Sequence, residues 1–248
     1  MEIKNEKGEL IRMNRINILL EKMKQRGYFK DIIRYAYMRD FDINESLQMI
    51  EILGKSRTKK FVIDDENRFA YTNLIKWVHG DASMQCLDPE SKEVRPGNLK
   101  RGIYIAGNTG TGKSWALEII LEYSRLMGFQ ITFDDKLNQL VWPNISADDI
   151  CARFTNTGNI DGFKKNNIIG IQDLGAEPTE CCFMGNKLEV MRTLIEARGD
   201  MTDLITLFTS NFPMSHNTLV QRYGDRVASR LVEMCNYMEI KGKDRRKL

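Results

Sequence analysis

The chain has 248 residues, 42% of them hydrophobic and 29% charged, the composition of a folded globular protein with room for one large domain, or a medium domain and a small one. Its 37 basic and 34 acidic residues leave a net charge of +3, which neither demands nor excludes nucleic acid, so any such contact has to come from a local patch. No run is apolar and long enough to span a bilayer and the charged start, Met1 to Lys7, has no apolar signal core, so no membrane contact is expected and a cytoplasmic location is.

In chain order, residues 1–57 read as a small N-terminal helical domain. Met13, Ile16, Leu20 and Met23 recur at three- and four-residue spacing, with Gly27 as a stop. Ile32, Ile33, Tyr35, Ala36 and Tyr37 suggest a second helix. Asn44 can cap a third that carries Leu47, Ile50 and Leu53 and ends at Gly54. The basic run Lys55 to Lys60 reads as a linker, either solvated or set against a phosphate backbone. Phe61-Val62-Ile63 opens a larger domain, 58–248. Asp81 to Asn98, with Pro89, Pro96 and Gly97, reads as a polar loop.

Ile103-Tyr104-Ile105-Ala106 reads as a short buried strand and Trp115 to Leu121 as a helix. Between them lies Gly107-Asn108-Thr109-Gly110-Thr111-Gly112-Lys113-Ser114, which fits G-x-x-x-x-G-K-[ST], the phosphate-binding loop or Walker A motif. Glycines let backbone N–H groups turn inward around an anion with no Cβ in the way. Lys113 brings a positive charge to the β- and γ-phosphates, and the Ser114 hydroxyl can ligate Mg²⁺. The following helix points its positive end at the same phosphates. The expected cofactors are ATP and Mg²⁺.

Beyond the loop, Gln130 to Phe133 is strand-like and Asn167 to Asp173 is a buried strand ending in polar residues. Glu189 to Ala197 reads as a helix, Leu204 to Thr209 as a third buried strand and Tyr237 to Ile240 as a short last one. Continuous apolar strands separated by helices imply an α/β fold, a parallel sheet covered on both faces. The five cysteines are odd in number and have no C-x-x-C spacing, so reduced, mostly buried thiols are expected rather than a zinc site.

Ligands of parallel sheets sit at the carboxyl ends of the strands, so polar residues ending the neighbouring strands should face the γ-phosphate. One set is Gln172-Asp173, with Glu177 four residues on. A carboxylate there can hold Mg²⁺ or polarise the attacking water. The other is Thr209-Ser210-Asn211, whose amide can orient that water. Further on, Asp225-Arg226-Val227-Ala228-Ser229-Arg230-Leu231 reads as a solvated helix face or as a source of an arginine finger for a neighbouring subunit.

The order of these segments, from the loop through IQDLGAE, TSN and DRVASRL to Lys241-Gly242-Lys243-Asp244-Arg245-Arg246, resembles the AAA+ ATPases of the DnaC-type helicase loaders and IstB-type transposition helpers. The resemblance covers roughly residues 60–248. It implies a P-loop AAA+ fold, with too few residues after Arg230 for the usual helical lid domain. It makes Ile168 to Asp173 Walker B, Asn211 sensor 1, Arg230 the arginine finger with Arg226 in support, and Arg246 sensor 2. Gln172 departs from the family, which usually carries two acids there, so Asp173 serves as metal anchor, as base, or as both, and slow hydrolysis is expected.

The implied function is a replicative helicase loader. It would grip a hexameric DnaB-type helicase through residues 1–55, assemble as an ATP-dependent homo-oligomer and contact single-stranded DNA. A transposition helper on duplex DNA and a non-hydrolysing ATP-gated scaffold are the alternatives. A small-molecule kinase fits less well, since Arg198 and Arg222 are scattered rather than gathered in a lid. Lys164, Lys165 and Lys187 are basic positions for DNA, though few aromatics accompany them for stacking.

Overall fold

The computed structural model describes residues 41–133, 136–201 and 203–245, with short backbone stretches at 2–4, 10–12, 19–20, 22–23 and 33–35. Its elements run β1 (Glu2–Lys4), β2 (Leu10–Arg12), β3 (Ile33–Tyr35), α1 (Ile43–Arg57), α2 (Arg68–His79), β4 (Gln85–Leu87), β5 (Val94–Pro96) and β6 (Gly102–Ala106). The second stretch is α3 (Lys113–Met127), β7 (Gln130–Phe133), β8 (Lys136–Gln139), β9 (Asn144–Ser146), α4 (Ala147–Thr157), α5 (Asp161–Lys165) and β10 (Ile168–Leu174). The third is β11 (Cys181–Phe183), β12 (Asn186–Leu188), α6 (Val190–Gly199), β13 (Ile205–Ser210), α7 (His216–Tyr223), α8 (Asp225–Met234) and β14 (Cys235–Glu239).

The central sheet has the order β5-β4-β14-β6-β13-β10-β9. From β14 to β9 every pairing is parallel, and β4 and β5 extend the edge antiparallel. Numbered by appearance in the chain, the parallel strands lie 5-1-4-3-2. The first and fourth, β6 and β13, are therefore neighbours at the centre, buried along their whole length. Alternate residues feed two cores. Ile103, Ile105 and Leu207 pack with α1, α2 and α3; Tyr104, Ala106 and Phe208 pack with α4, α6, α7 and α8. Each fully buried isoleucine or phenylalanine contributes on the order of 1.5–3 kcal/mol.

A buried arginine pins the amino ends of the strands beneath the site. Arg198, at the end of α6, donates to the Thr206 hydroxyl (2.8 Å) and to the carbonyls of Phe163 (2.8 Å), Asn166 (2.8 Å), Ile205 (2.9 Å) and Lys164 (3.4 Å). Asn166, Ile205 and Thr206 lie at the starts of β10 and β13, and Phe163 and Lys164 on α5 just before β10. Arg222 is also structural, paired with Glu177 and Thr179.

Several segments differ from the reading of the sequence. Residues 33–35 form a strand antiparallel to β7, not a helix, because β7 offers a pairing edge that outweighs a weak local helical signal. Consequently β7 belongs to a separate three-stranded sheet, and the parallel neighbour of β10 is β9. The expected polar loop 81–98 contains the β4–β5 hairpin. Asp42, not Asn44, caps α1, its carboxylate accepting from Asn44 N at 2.7 Å. That helix also runs through Gly54 to Arg57. Gly54 is there for close approach, since a Cβ would lie 2.1 Å from the Phe61 ring. Met13, Ile16 and Gly27 lie outside the described residues.

The amphipathic face of α1 is committed. Ser46, Leu47 and Ile50 are buried against α3, and Tyr123 Oη donates to Ser46 Oγ at 3.1 Å. The five cysteines are unpaired thiols, all buried except Cys182.

Candidate nucleotide-binding site

The loop 107–114 lies between β6 and α3, at the carboxyl end of the central strand. Gly110 and Gly112 have φ of +79° and +99°, a region in which side-chain-bearing residues are strained. These turns let the loop wrap inward and leave Gly112 capping α3. Lys113 is 5% exposed. Its Nζ donates to the carbonyl of Asn108 (2.9 Å) and to Asn211 Oδ1 (2.7 Å). Asn211 Nδ2 donates in turn to Thr109 Oγ1 at 3.4 Å. The two sequence-selected ends, of β6 and β13, thus meet through one lysine.

A cleft of about 350 Å³ opens above the loop, lined among others by Lys113, Ser114, Trp115, Asp173, Asn211 and Arg245. Asp173 is exposed at the end of β10 with φ of +56°, a rare conformation for a residue with a side chain. Its N–H donates to Thr209 Oγ1 at 3.0 Å, where the β10–β13 register shifts. Beside it, Gln172 Nε2 donates to Glu118 Oε1 on α3 at 3.2 Å, and Glu118 is ion-paired with Arg57 of α1.

Glu177 does not face the cleft. It is buried, accepting from Gly175 N (2.7 Å), Tyr223 Oη (2.6 Å) and Arg222 Nη2 (3.1 Å). Three donors occupy this carboxylate, so it cannot stand in for the acid that Gln172 lacks. It braces α7 against the loop after β10.

Arg230 lies away from the loop. It sits on α8 near the start of the strands, paired with Asp200 and with Glu233 (3.1 Å), and its stem packs over Gly199. Arg226 reaches the same Asp200 at 3.5 Å. Neither is brought to this chain's own cleft. Of the positions suggested for DNA, Lys164 is paired with Asp161 and Lys187 with Glu180.

Arg246 lies outside the described residues. Its neighbour Arg245, not singled out in the sequence, is in the cleft. Arg245 N donates to the Gly110 carbonyl at 2.9 Å, and its Nη2 meets both oxygens of Asp64 at 2.8 Å. Burial opposes ionisation of Asp64, but the Arg245 hydrogen bond and charge and the N–H groups of Glu66 and Asn67 outweigh it, holding the carboxyl below the usual range. Arg245 Nε is buried with no acceptor among the described residues. The adjacent pair Arg245-Arg246 marks this turn of chain in the sequence.

These donors suit a polyphosphate carrying a divalent cation. Lys113, Arg245 and the loop N–H groups would hold the anion; the Ser114 hydroxyl and Asp173 are hard oxygen donors for Mg²⁺.

No family model matches the chain, and no curated protein matches it. Among solved structures, similarity is found to a candidate primosome component from Streptococcus pyogenes serotype M3, at 19% identity over 73% of this chain and 83% of that one, TM-score 0.49. The DnaC helicase loader is similar at 18% identity, over 73% and 93%, TM-score 0.46. AMPPCP-bound DnaA from Aquifex aeolicus is similar at 18% identity, over 75% and 50%, TM-score 0.45. The strand order and the loop between β6 and α3 decide the fold. It is a P-loop NTPase fold. As expected, it is an α/β fold with a parallel sheet and helices on both faces.

Proposed function

We propose that this protein is an ATP-binding AAA+ switch that loads a hexameric replicative helicase onto single-stranded DNA. The observation that carries the ATP reading is the contact between Lys113 and Asn211, which joins the phosphate loop to the end of the adjacent strand in a 5-1-4-3-2 sheet. It supports a role for Lys113 on the phosphates and for Asn211 as the residue that senses them. Asp173 is the candidate base and metal anchor, held in an unusual backbone conformation next to both. The helicase, the DNA and the homo-oligomer come from the resemblance of motif order noted above. Arg230, remote from its own cleft, would serve a neighbour.

Gln172 favours a second reading, an ATP-gated scaffold that hydrolyses little. Both readings share ATP-dependent assembly and differ in phosphate release.

The test is native mass spectrometry of the protein mixed with a hexameric replicative helicase, with ATP and Mg²⁺ and again with Lys113→Ala. A stoichiometric complex that needs Lys113 supports the loader. No complex, with ATP-dependent assembly on duplex DNA in its place, would overturn the loader in favour of a transposition helper.

A further inference from the structure

The neutral residue at the end of β10 has a carboxylate beside it. Gln172 points its amide at Glu118, 3.2 Å away, and Glu118 lies on α3 one turn beyond Ser114. Residues four apart on a helix share a face, so the Ser114 hydroxyl and the Glu118 carboxylate project on the same side, toward the end of β10. A cationic group already rests on that carboxylate: the Arg57 guanidinium, from the end of α1. Exposed pairs of this kind contribute little to stability, about 0–1 kcal/mol, so stability alone gives little reason for the arrangement.

Divalent magnesium bound with a polyphosphate keeps several waters and takes one or two carboxylates, often through those waters. A neutral amide answers that need poorly. We propose that Glu118 supplies the carboxylate for the cation that accompanies the triphosphate, replacing the acid that Gln172 lacks. The acid has moved from the strand to the facing helix, and the Gln172 amide orients it. Arg57 is its counter-ion when no divalent cation is bound. Arrival of the metal therefore displaces Arg57 and reports occupancy to α1. This rests on the ATP-binding reading and adds to it a residue outside the recognised motifs.

The experiment measures affinity of the full chain for a fluorescent non-hydrolysable ATP analogue, in EDTA and across a Mg²⁺ titration, with Mn²⁺ paramagnetic resonance as a direct count of bound metal. Glu118→Gln keeps shape and removes charge. It should raise the Mg²⁺ needed for half-maximal enhancement by about tenfold or more and weaken Mn²⁺ binding equally, measured against its own EDTA affinity. Glu118→Gln with Gln172→Asp, which returns the acid to the strand, should restore the titration to within about threefold. Arg57→Gln should lower the Mg²⁺ requirement. An unchanged titration in Glu118→Gln overturns the proposal, as does a defect that Gln172→Asp leaves in place. Wild-type protein that binds no analogue in either condition overturns the ATP reading itself.

Discussion

Replacing Arg198 by methionine tests whether the strands beneath the cleft depend on one buried cation. Burial pushes the Arg198 guanidinium down to about 10, so it remains charged at neutral pH. Methionine fills much of the volume and supplies no donor. Four carbonyls, of Phe163, Lys164, Asn166 and Ile205, and the Thr206 hydroxyl then lose their partner. Hydrogen bonds from a charged donor are worth about 1.5–3 kcal/mol each. Against that, removing a buried ion returns several kcal/mol of desolvation. With this many bonds lost the first effect wins, and a net loss of about 3 kcal/mol is expected. At roughly 2–4 °C per kcal/mol for a chain of this size, Tm should fall by about 6–12 °C, read by circular dichroism. Arg198→Lys keeps the charge and three donors and should fall less. A methionine variant within about 2 °C of wild type, or a lysine variant no better than methionine, would refute the reasoning.

Asn211→Ala removes one of the two acceptors of Lys113 and a polar group lining the cleft; ATP turnover by phosphate release should drop about 10²–10³-fold with analogue affinity changed far less. Equal turnover would remove Asn211 from the site. Asp64 has its carboxyl lowered in the folded state, so its hold on Arg245 is present above the unfolded carboxyl range and lost as pH falls through the lower folded value. Asp64→Asn should mimic that loss at pH 7, seen as faster hydrogen exchange at residues 241–245, and unchanged exchange would show that the pair does not anchor the segment. Arg230→Ala should bind ATP yet not hydrolyse it, and mixing it with Lys113→Ala should recover activity, since one subunit supplies the cation and the other the nucleotide. Co-assembly without recovery would end the arginine-finger role.

What the sequence made legible was local or buried on both sides. The phosphate loop is a contiguous octapeptide whose flanks announce a strand and a helix. β6, β10 and β13 are apolar runs because both faces of the sheet are covered, which makes them readable without knowing their neighbours. The losses have the opposite character. β9 is three half-exposed residues whose strand identity comes only from pairing with β10. The β4–β5 hairpin carries Pro96 beside Gly97 and looks like a loop until the β14 edge is present to receive it. Glu118 is an ordinary polar residue on an amphipathic helix until Gln172 is seen against it. Arg245 is one member of a basic run until Asp64 is seen against it.

The linker read at residues 55–60 has a different mechanical meaning from the one its composition suggests. α1 runs into it and is packed into the core through Leu47 and Ile50, so the basic run does not separate α1 from the P-loop domain. One end of the connection between α1 and α2 is tied to the helix after the phosphate loop and the other to a residue lining the cleft. Arg57 sits on Glu118, below the phosphate loop, and Asp64 grips Arg245 above it. Phe61 fastens the middle by lying on Gly54. If residues before Phe41 hold a partner, a shift at the cleft would reach them as a displacement of α1 against α3, which pack together. Loosening that packing, with Leu47→Ala and Ile50→Ala, should weaken the effect of ATP on partner binding while leaving binding without nucleotide in place. If ATP still changed partner affinity as strongly in the double variant, the coupling would have to run through another surface.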